Sequence, residues 1–467
     1  MLTASVIETA DAIAAGRLTS RAATEACIAR ARALNPILNC VLRIDEDAAL
    51  AAADAADRQQ AQGRPLGPLH GVPLAHKDMF YRAGRSSSCG SAIAATRASR
   101  TTSTLLERLD AAGALEIGAL NMAEFALGPT GHNAITGHCR NAWNPEYISG
   151  GSSSGSGSAV GAGIVPASLG SDTGGSVRLP AALNGVLGLK PTHGRLSRHG
   201  LMPLSYSIDT AGPIVRRARD AARLMDVLAG HDPADPTSSR RPVPAHESEC
   251  LRGIDELKVG VPRNYFYDPV TEEVRTLIEA SIAVLERQGA RIVEIDVPDP
   301  HHLTELSRVI VYAEATSLHG VWLRERRDEY SPQVAVRAAT GLAIPAAAYL
   351  EALCLRPRVV RGFVEQVFER CDVLHTPTLA IPVPTLAETD VGSGRAMWDI
   401  IAQMVHCTAP INYLGLPAVA VPAGFTANGL PASFQLIGRP FAEAQLLRVA
   451  HAYEEATDWH RRVPPSR

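Results

Sequence analysis

Residues 150–180 read GGSSSGSGSAVGAGIVPASLGSDTGGSVRLP: two serine-rich glycine clusters, around Ser152 and Ser176, flank a run of small apolar residues. No other stretch constrains the fold as strongly. A flexible Gly/Ser linker belongs between polar, loop-like flanks, whereas this cluster runs straight into AVGAGIVPASLG, a segment that must be buried. A phosphate-cradling loop would end in Gly-Lys-Ser/Thr, and no such ending is present. Close packing through glycine explains the glycines but not so many serines.

The second cluster, Asp172-Thr173-Gly174-Gly175-Ser176, carries a chemical suggestion. Consecutive glycines place no side-chain barrier in the way of backbone N–H groups converging on one point, and such a nest binds an anion or an oxyanion. Ser176 stands at its end, where a nucleophile attacks a carbonyl whose oxygen sits in the nest. A tight turn with a capping serine is the plainer reading of the same residues. Lys77, inside the otherwise apolar run GVPLAHKDMF, tips the balance toward catalysis. Lysine is seldom buried without purpose or partner, and a desolvated lysine loses proton affinity and serves as a base near neutral pH. The alternative is a structural ion pair of Lys77 with Asp78 or Asp172.

Other chemistries find less support. No Gly-x-Ser-x-Gly elbow surrounds Ser176, which disfavours a Ser-His-Asp triad of the α/β-hydrolase kind. Among the 15 histidines, His76 beside Lys77 reads as a neighbour that shapes the pocket. His132 and His138 read either as lining of a substrate cleft or as simple loop hydrogen-bonders. No His-x-x-x-His pair or carboxylate cluster has metal-ligand spacing, so no metal is expected.

The chain around these motifs is 46% hydrophobic and 20% charged, which suits a large core. A net charge of −3 offers no strong field for nucleic acid or an anionic membrane. The eight cysteines include no Cys-x-x-Cys pair and read as reduced, mostly buried thiols. The first 35 residues, with Glu8, Asp11 and Glu25, do not form a signal peptide. No apolar stretch reaches the roughly 18 residues of a membrane span, and a cytoplasmic location is expected. Helical periodicity is read over 3–15, 20–34 and 45–62, with Asn35-Pro36 ending the second helix. A strand through 72–75, a helix over 101–112 and a strand over 115–120 follow. Residues 128–147 are a long irregular connection. A strand over 185–189 and a helix over 215–228 precede a polar, Pro-rich surface crossover at 232–250. Then come a β-α-β pattern (257–261, 271–288, 291–297), an almost wholly helical cap (303–370) and strands over 372–376, 418–421 and 433–437. Asn428-Gly429 is the hairpin turn joining the last two, and a helix over 442–457 ends the series. The alternation argues for an α/β fold.

Together, Lys77 in GVPLAHKD, the GGSSSGSGSA cluster and SDTGGSVRLPAALNGVLGLKPT resemble the amidase signature family. RNAWNP (140–145), GRLSRHGLMPLSYSIDTAGP (194–213), HTPTLAIP (375–382) and NYLGLPAVAVPAGF (412–425) support the match. The resemblance covers about residues 5–457. It implies a single large α/β domain, with a mixed, mostly parallel central sheet flanked by helices. The N-terminal helices would occupy about 3–62, the signature core about 70–230 and a helical cap about 303–370. It also implies a Ser-Ser-Lys triad: Ser176 as nucleophile, Lys77 as base and Ser152, after a cis peptide with Gly151, as the bridge between them. The N–H groups of Thr173, Gly174, Gly175 and Ser176 would form the oxyanion hole. Asp172 and Arg178 would hold that loop, and the carbonyl of Ala126 would meet substrate. The first cluster is commonly GGSSGG, and Ser154 here replaces a glycine.

The expected reaction is hydrolysis of a carboxamide C–N bond, in an amide or perhaps an anilide or carbamate, through an acyl-enzyme, and the resemblance implies that it needs no metal or organic cofactor. Ala126, Leu127, Gly128, Ser152, His132, Val405 and Cys407 are the candidate substrate contacts. Val405, Cys407, Leu127 and the cap are expected to make the pocket apolar. The expected partner is a small-molecule amide, with no nucleic acid and no membrane, for a monomer or homodimer. The alternative is the A subunit of a glutamyl-tRNA(Gln) amidotransferase, a glutaminase. Those subunits hold the glutamine amino group with an acid just before a Tyr-Thr-x-Pro-Ala-Asn motif. Here Val405 takes the acid's place in Met404-Val405-His406-Cys407-Thr408-Ala409-Pro410-Ile411-Asn412. Arg337 is open to two readings, a substrate-carboxylate contact or an ion pair with a cap acid. An inactive binding module on the same fold is a third hypothesis, against which intact Lys77, Ser152 and Ser176 argue.

Overall fold

The computed structural model describes residues 5–64, 66–96 and 98–465. Eleven strands form two sheets among these residues: β1 (Val41–Ile44), β2 (Pro73–Lys77), β3 (Leu115–Leu120), β4 (Ala167–Asp172), β5 (Leu187–Lys190), β6 (Thr210–Val215), β7 (Lys258–Pro262), β8 (Arg291–Ile295), β9 (Val373–Pro377), β10 (Ala418–Phe425) and β11 (Pro431–Gly438). The first three make a small sheet ordered β1-β3-β2, and the rest an eight-stranded sheet ordered β4-β6-β5-β10-β11-β9-β7-β8. The large sheet is mixed and flanked by helices, as expected. Its parallel share is smaller than expected: β7 pairs parallel with β8 and β9, and the other five pairings are antiparallel. Local chemistry explains the difference. β10 and β11 are joined by the tight turn at Asn428-Gly429, which allows only an antiparallel pair, and this hairpin occupies the sheet centre.

β11 is buried along its whole length and β10 in all but its last residue, which explains their almost unbroken runs of small and apolar residues. At the far edge, β8 keeps Arg291 and Glu294 exposed, and charge on an edge discourages pairing with another chain.

The helices over 45–62, 101–112 and 271–288 form as Glu46–Ala61, Thr104–Ala111 and Glu272–Arg287. The first helix is Val6–Ala14, with positions 3 and 4 of the expected span outside the described residues. The second runs through Pro36 to Leu38 rather than stopping at Asn35. Pro36 lies in its last turn, and the exit is fixed by Asn39 in a left-handed conformation and by Asn35, whose side chain bonds both Val41 N and Val41 O at 2.8 Å. The expected helix at 215–228 starts at Ala218, because Val215 completes the buried strand β6. The cap consists of helices Pro300–Glu325, Pro332–Ala339 and Ala346–Phe368, linked by short 3-10 turns. The 232–250 crossover ends in a short helix, His246–Cys250, and buries Asp232, Asp235 and Cys250. Among the described residues no single helix is long and apolar enough to cross a membrane.

Candidate active site

The stretch that dominates the sequence folds as helix Ser154–Gly161, strand β4 and helix Arg178–Leu183, all buried. Its many serines have backbone work to do. Ser153 Oγ meets both the N–H and the carbonyl of Ser171 at 3.3 Å, Ser156 Oγ meets Leu169 O at 3.3 Å, and Ser158 Oγ meets Arg140 O at 2.8 Å. Short hydroxyl side chains satisfy buried polar groups where larger ones would not fit. Glycine is required at 151, where a Cβ would fall 2.1 Å from Gly128 O. The Gly151–Ser152 bond is cis, as the resemblance implied.

Lys77 closes β2 and is 1% exposed. Its Nζ lies 2.7 Å from Ser152 Oγ and 2.8 Å from Ser171 Oγ. Neither anticipated ion pair forms: Asp78 accepts from Ser88 N and Oγ, and Asp172 is taken by Arg178. Burial pulls the Lys77 ammonium down to about 7, against the opposing charges of Asp209 and Asp172. A neutral amine held by two hydroxyls is equipped to accept a proton. Ser171 was not among the candidates read from sequence. Its one signal was a hydroxyl directly before the acid in SDTGGS.

Asp172 and Arg178, both fully buried, form the scaffold of the nest. The carboxylate accepts from Arg178 Nε and Nη2 at 3.0 Å, from Asn412 Nδ2 at 2.8 Å, and from the N–H groups of Gly175 and Val177 at 2.8 and 3.2 Å. Burial alone would raise this carboxyl, but the Arg178 charge and hydrogen bonds, helped by Lys190 and Asn412, hold it well below the usual range. Arg178 reaches on to Gln435 Oε1 at 2.9 Å and Asn412 Oδ1 at 2.6 Å. The nest is thereby tied to the central strand β11.

Ser176 faces a cavity of about 740 Å³ together with Thr173, Gly174, Ala126, Leu127, Gly128, Arg337 and Val405. Four expectations change, those for Gly175, Cys407, His132 and Ser152 as a substrate contact. Gly175 is drawn back from the cavity, its N–H held by Asp172 Oδ1. Cys407 turns into the core, 1% exposed with its Sγ toward Phe266 O, because the chain reverses after helix Arg395–Val405 and presents 405, 406 and 409 instead. His132 lines an adjoining cavity of about 220 Å³, its Nε2 2.8 Å from Thr389 Oγ1 and its ring neutral, held down at about 4 by burial and His138. Ser152 is fully buried behind the cavity wall. No hydrogen bond joins Ser176 Oγ to Ser152 Oγ among the described residues, where Ser152 Oγ is held by Lys77 Nζ.

The cap supplies much of the remaining wall: His301, Thr304, Arg308, Val311 and Tyr312, with Trp398 and Ile401 from helix Arg395–Val405. Among the described residues Arg337, 8% exposed, pairs with no acid. The one hydrogen bond of its side chain there is to Tyr312 Oη at 3.4 Å, and its Nε has no partner. The cap ion pair considered from sequence is therefore absent.

A sequence model of the Amidase family matches residues 22–447. The glutamyl-tRNA(Gln) amidotransferase A subunit of Chloroflexus aggregans is 41% identical, the alignment covering 99% of this chain and 98% of the relative. A solved structure from work on a vestigial protein complex and the evolutionary origins of an s-triazine catabolic enzyme superposes with TM-score 0.90 at 35% identity, over 97% of this chain and 98% of that one. A bacterial aryl acylamidase of the amidase signature enzymes superposes with TM-score 0.88 at 27% identity, over 98% of each chain. One expectation falls here. A small-molecule amide as sole partner, with nucleic acid excluded, does not stand beside relatives that carry glutamyl-tRNA(Gln) in their name. Near-neutral net charge was the reason for the exclusion, and net charge says nothing of what a complex brings to its substrate. The chain belongs to the amidase signature family, enzymes that act on carbon–nitrogen bonds.

Proposed function

We propose that this chain is the amide-cleaving component of an amidotransferase of the glutamyl-tRNA(Gln) type, releasing ammonia from a carboxylate-bearing amide such as glutamine. One observation carries the reading: Arg337, buried and without an acid partner among the described residues, shares the cavity with Ser176. A buried guanidinium with free donors is costly unless a ligand completes it, and a carboxylate does so with two parallel bonds. The 41% identity to an amidotransferase of this type supports the same choice.

In this reading Lys77 is the base, Ser152 the relay and Ser176 the nucleophile. Ser176 Oγ attacks the amide carbon while its proton passes through Ser152 Oγ to neutral Lys77 Nζ. The oxyanion develops against the backbone N–H groups of Thr173, Gly174 and Ser176. As the C–N bond breaks, the proton returns from Lys77 through Ser152 to the leaving nitrogen. Water then attacks the acyl–Ser176 ester, gives a proton to the same relay and frees the carboxylic acid, while Ser176 recovers its proton. Asp172 and Arg178 hold the loop without touching the reacting atoms.

A second reading, a stand-alone hydrolase of amides, anilides or carbamates with an apolar part, is favoured by Val405. It gives the cavity an apolar surface at the position where the amidotransferase pattern has the acid that holds the glutamine amino group. Ammonia release from glutamine decides between the two, measured for the chain alone and with amidotransferase partner proteins and glutamate-charged tRNA. The proposal expects release that rises with the partners, and a KM at least about tenfold higher for Arg337→Leu. Hydrolysis of an uncharged anilide with no ammonia from glutamine in either setting would overturn it in favour of the second reading.

A further inference from the structure

The Gly174–Gly175 peptide is held from both sides. Asp172 Oδ1 takes its N–H at 2.8 Å, and the Thr408 hydroxyl donates to its carbonyl, Gly174 O, at 2.6 Å. Thr408 is fully buried, and its own carbonyl accepts from Arg178 Nη2 at 3.2 Å. The fit is close enough that a Cβ on Gly175 would lie 2.4 Å from Thr408 Oγ1. With this peptide fixed, its neighbours Gly174 and Ser176 are held in the wall of the cavity they line.

Thr408 is also bound to the substrate side of that cavity. Trp398, Ile401, Ala402 and Val405, along one face of helix Arg395–Val405, line it. Thr408 N donates to Val405 O at 3.0 Å, and Thr408 Oγ1 lies 3.3 Å from the same carbonyl. A hydroxyl has one proton to give. Here it has two carbonyls within reach, one from the helix that lines the cavity and one from the loop that carries Ser176.

We propose that Thr408 is a positioning residue for amide cleavage: its hydroxyl sets the Gly174–Gly175 peptide plane beside Ser176 and transmits to it the placement of the wall at Val405. The inference rests on the acyl-enzyme reading above. Interactions that improve only as the oxyanion forms raise kcat and leave KM alone. Contacts far from the reacting carbon then speed the reaction through the geometry they impose.

The test compares Thr408→Val, which keeps the shape and removes the donor, with Thr408→Ser, which keeps the donor. Turnover is followed on glutamine and on an acyl p-nitroanilide, and Ser176 labelling by a fluorophosphonate, whose phosphoryl oxygen takes the oxyanion's place, is timed. Thr408→Val is expected to lower kcat about tenfold or more with KM within about twofold. Labelling should slow in parallel. Thr408→Ser should restore both. If valine prevents folding, Thr408→Cys, a poor donor, takes its place in the comparison. Unchanged kcat in the donor-free variant, or a serine variant as slow as the valine one, would overturn the inference. A wild-type chain that gives no Ser176 adduct overturns the acyl-enzyme reading, and this inference with it.

Discussion

Two lysines lie in the core of this protein in parallel circumstances. Lys77 ends β2 and Lys190 ends β5, and each is 1% exposed. Both are brought down to about 7, with burial the largest cause. They differ in what the ammonium touches. Lys77 meets the hydroxyls of Ser152 and Ser171. Lys190 donates to the carbonyl of Pro191 at 3.0 Å, and the charges of Arg178 and Arg356 lower its proton affinity while those of Asp172 and Glu443 raise it. A hydroxyl both gives and takes protons, whereas a carbonyl only accepts a hydrogen bond. A lowered pKa therefore does not make a lysine a base. A proton-passing neighbour does, and of these two lysines it is Lys77 that has one.

The sharpest way to break this comparison is to remove each amine in turn. Lys77→Met should reduce amide turnover about 10⁴-fold or more, the scale on which loss of one member of a nucleophile–base unit disables the whole. Lys190→Met should stay within about tenfold of wild type, since it loses no proton path and disturbs only the charges around Arg178. Equal losses in the two variants, each folded by its melting profile, would mean that both lysines act through the charge balance at Asp172 and that Ser152 relays nothing.

The two lysines should part again in activity against pH while agreeing in stability against pH. Lys77 must be neutral to accept a proton, so kcat should climb about tenfold per pH unit below a midpoint near 7 and flatten above it. Lys190→Met should keep that profile. Stability runs on a different interval. Between the folded values near 7 and the ordinary lysine value of 10.5, the unfolded chain binds protons that the folded chain does not, so the unfolding free energy rises with pH. Below 7 both states are protonated and the full burial penalty remains. Denaturant titrations from pH 7 to 10 should show this rise in wild type, and either methionine variant should flatten part of it. A flat rate profile between pH 6 and 8 would remove Lys77 from the role of base.

The contrast also marks what the sequence could disclose. Lys77 stood out because a charge interrupted an apolar run, and Ser152 and Ser176 because glycine and serine clustered as few folded segments require. These are local signals, and the structure brings Lys77 and Ser152 together across 75 positions. Lys190 stands in a similar apolar run, GVLGLKPT, and nothing local separates it from Lys77. The difference lies in neighbours supplied by other strands. Asn412, Gln435 and Thr408 hold the nest from more than 200 residues away in the chain. Arg337 was ambiguous for the same reason, since the absence of an acid partner is a property of packing. Strand β6 is illegible in the sequence because Gly212 and Pro213 interrupt TAGPIV and it shows no alternation, and burial on both faces decides its conformation. Cys407 misled because apolar character near a motif does not tell which way a side chain turns after a helix ends.

Ser171 yields a far smaller effect than Lys77 and a more discriminating one. Its hydroxyl is the second partner of Lys77 Nζ, at 2.8 Å. A neutral amine has one lone pair and two protons. To accept from Ser152, Lys77 must point its lone pair there, and a proton directed at Ser171 Oγ fixes that orientation. Ser171→Ala removes the guide and leaves the base. The expected result is about a tenfold fall in kcat with KM unchanged, the size of a lost orientation rather than a lost group. The same change opens no path for charge to leave, so the pH midpoint should stay near 7, the value burial imposes on Lys77. Ser171→Thr should restore the rate, since β4 is buried but the γ-oxygen is retained. If Ser171→Ala instead moved the midpoint by a full unit with kcat at its plateau intact, Ser171 would be acting on the charge of Lys77 and not on its aim. The distinction drawn from Lys190, that partners matter through the protons they handle, would then fail at the site where it should be clearest.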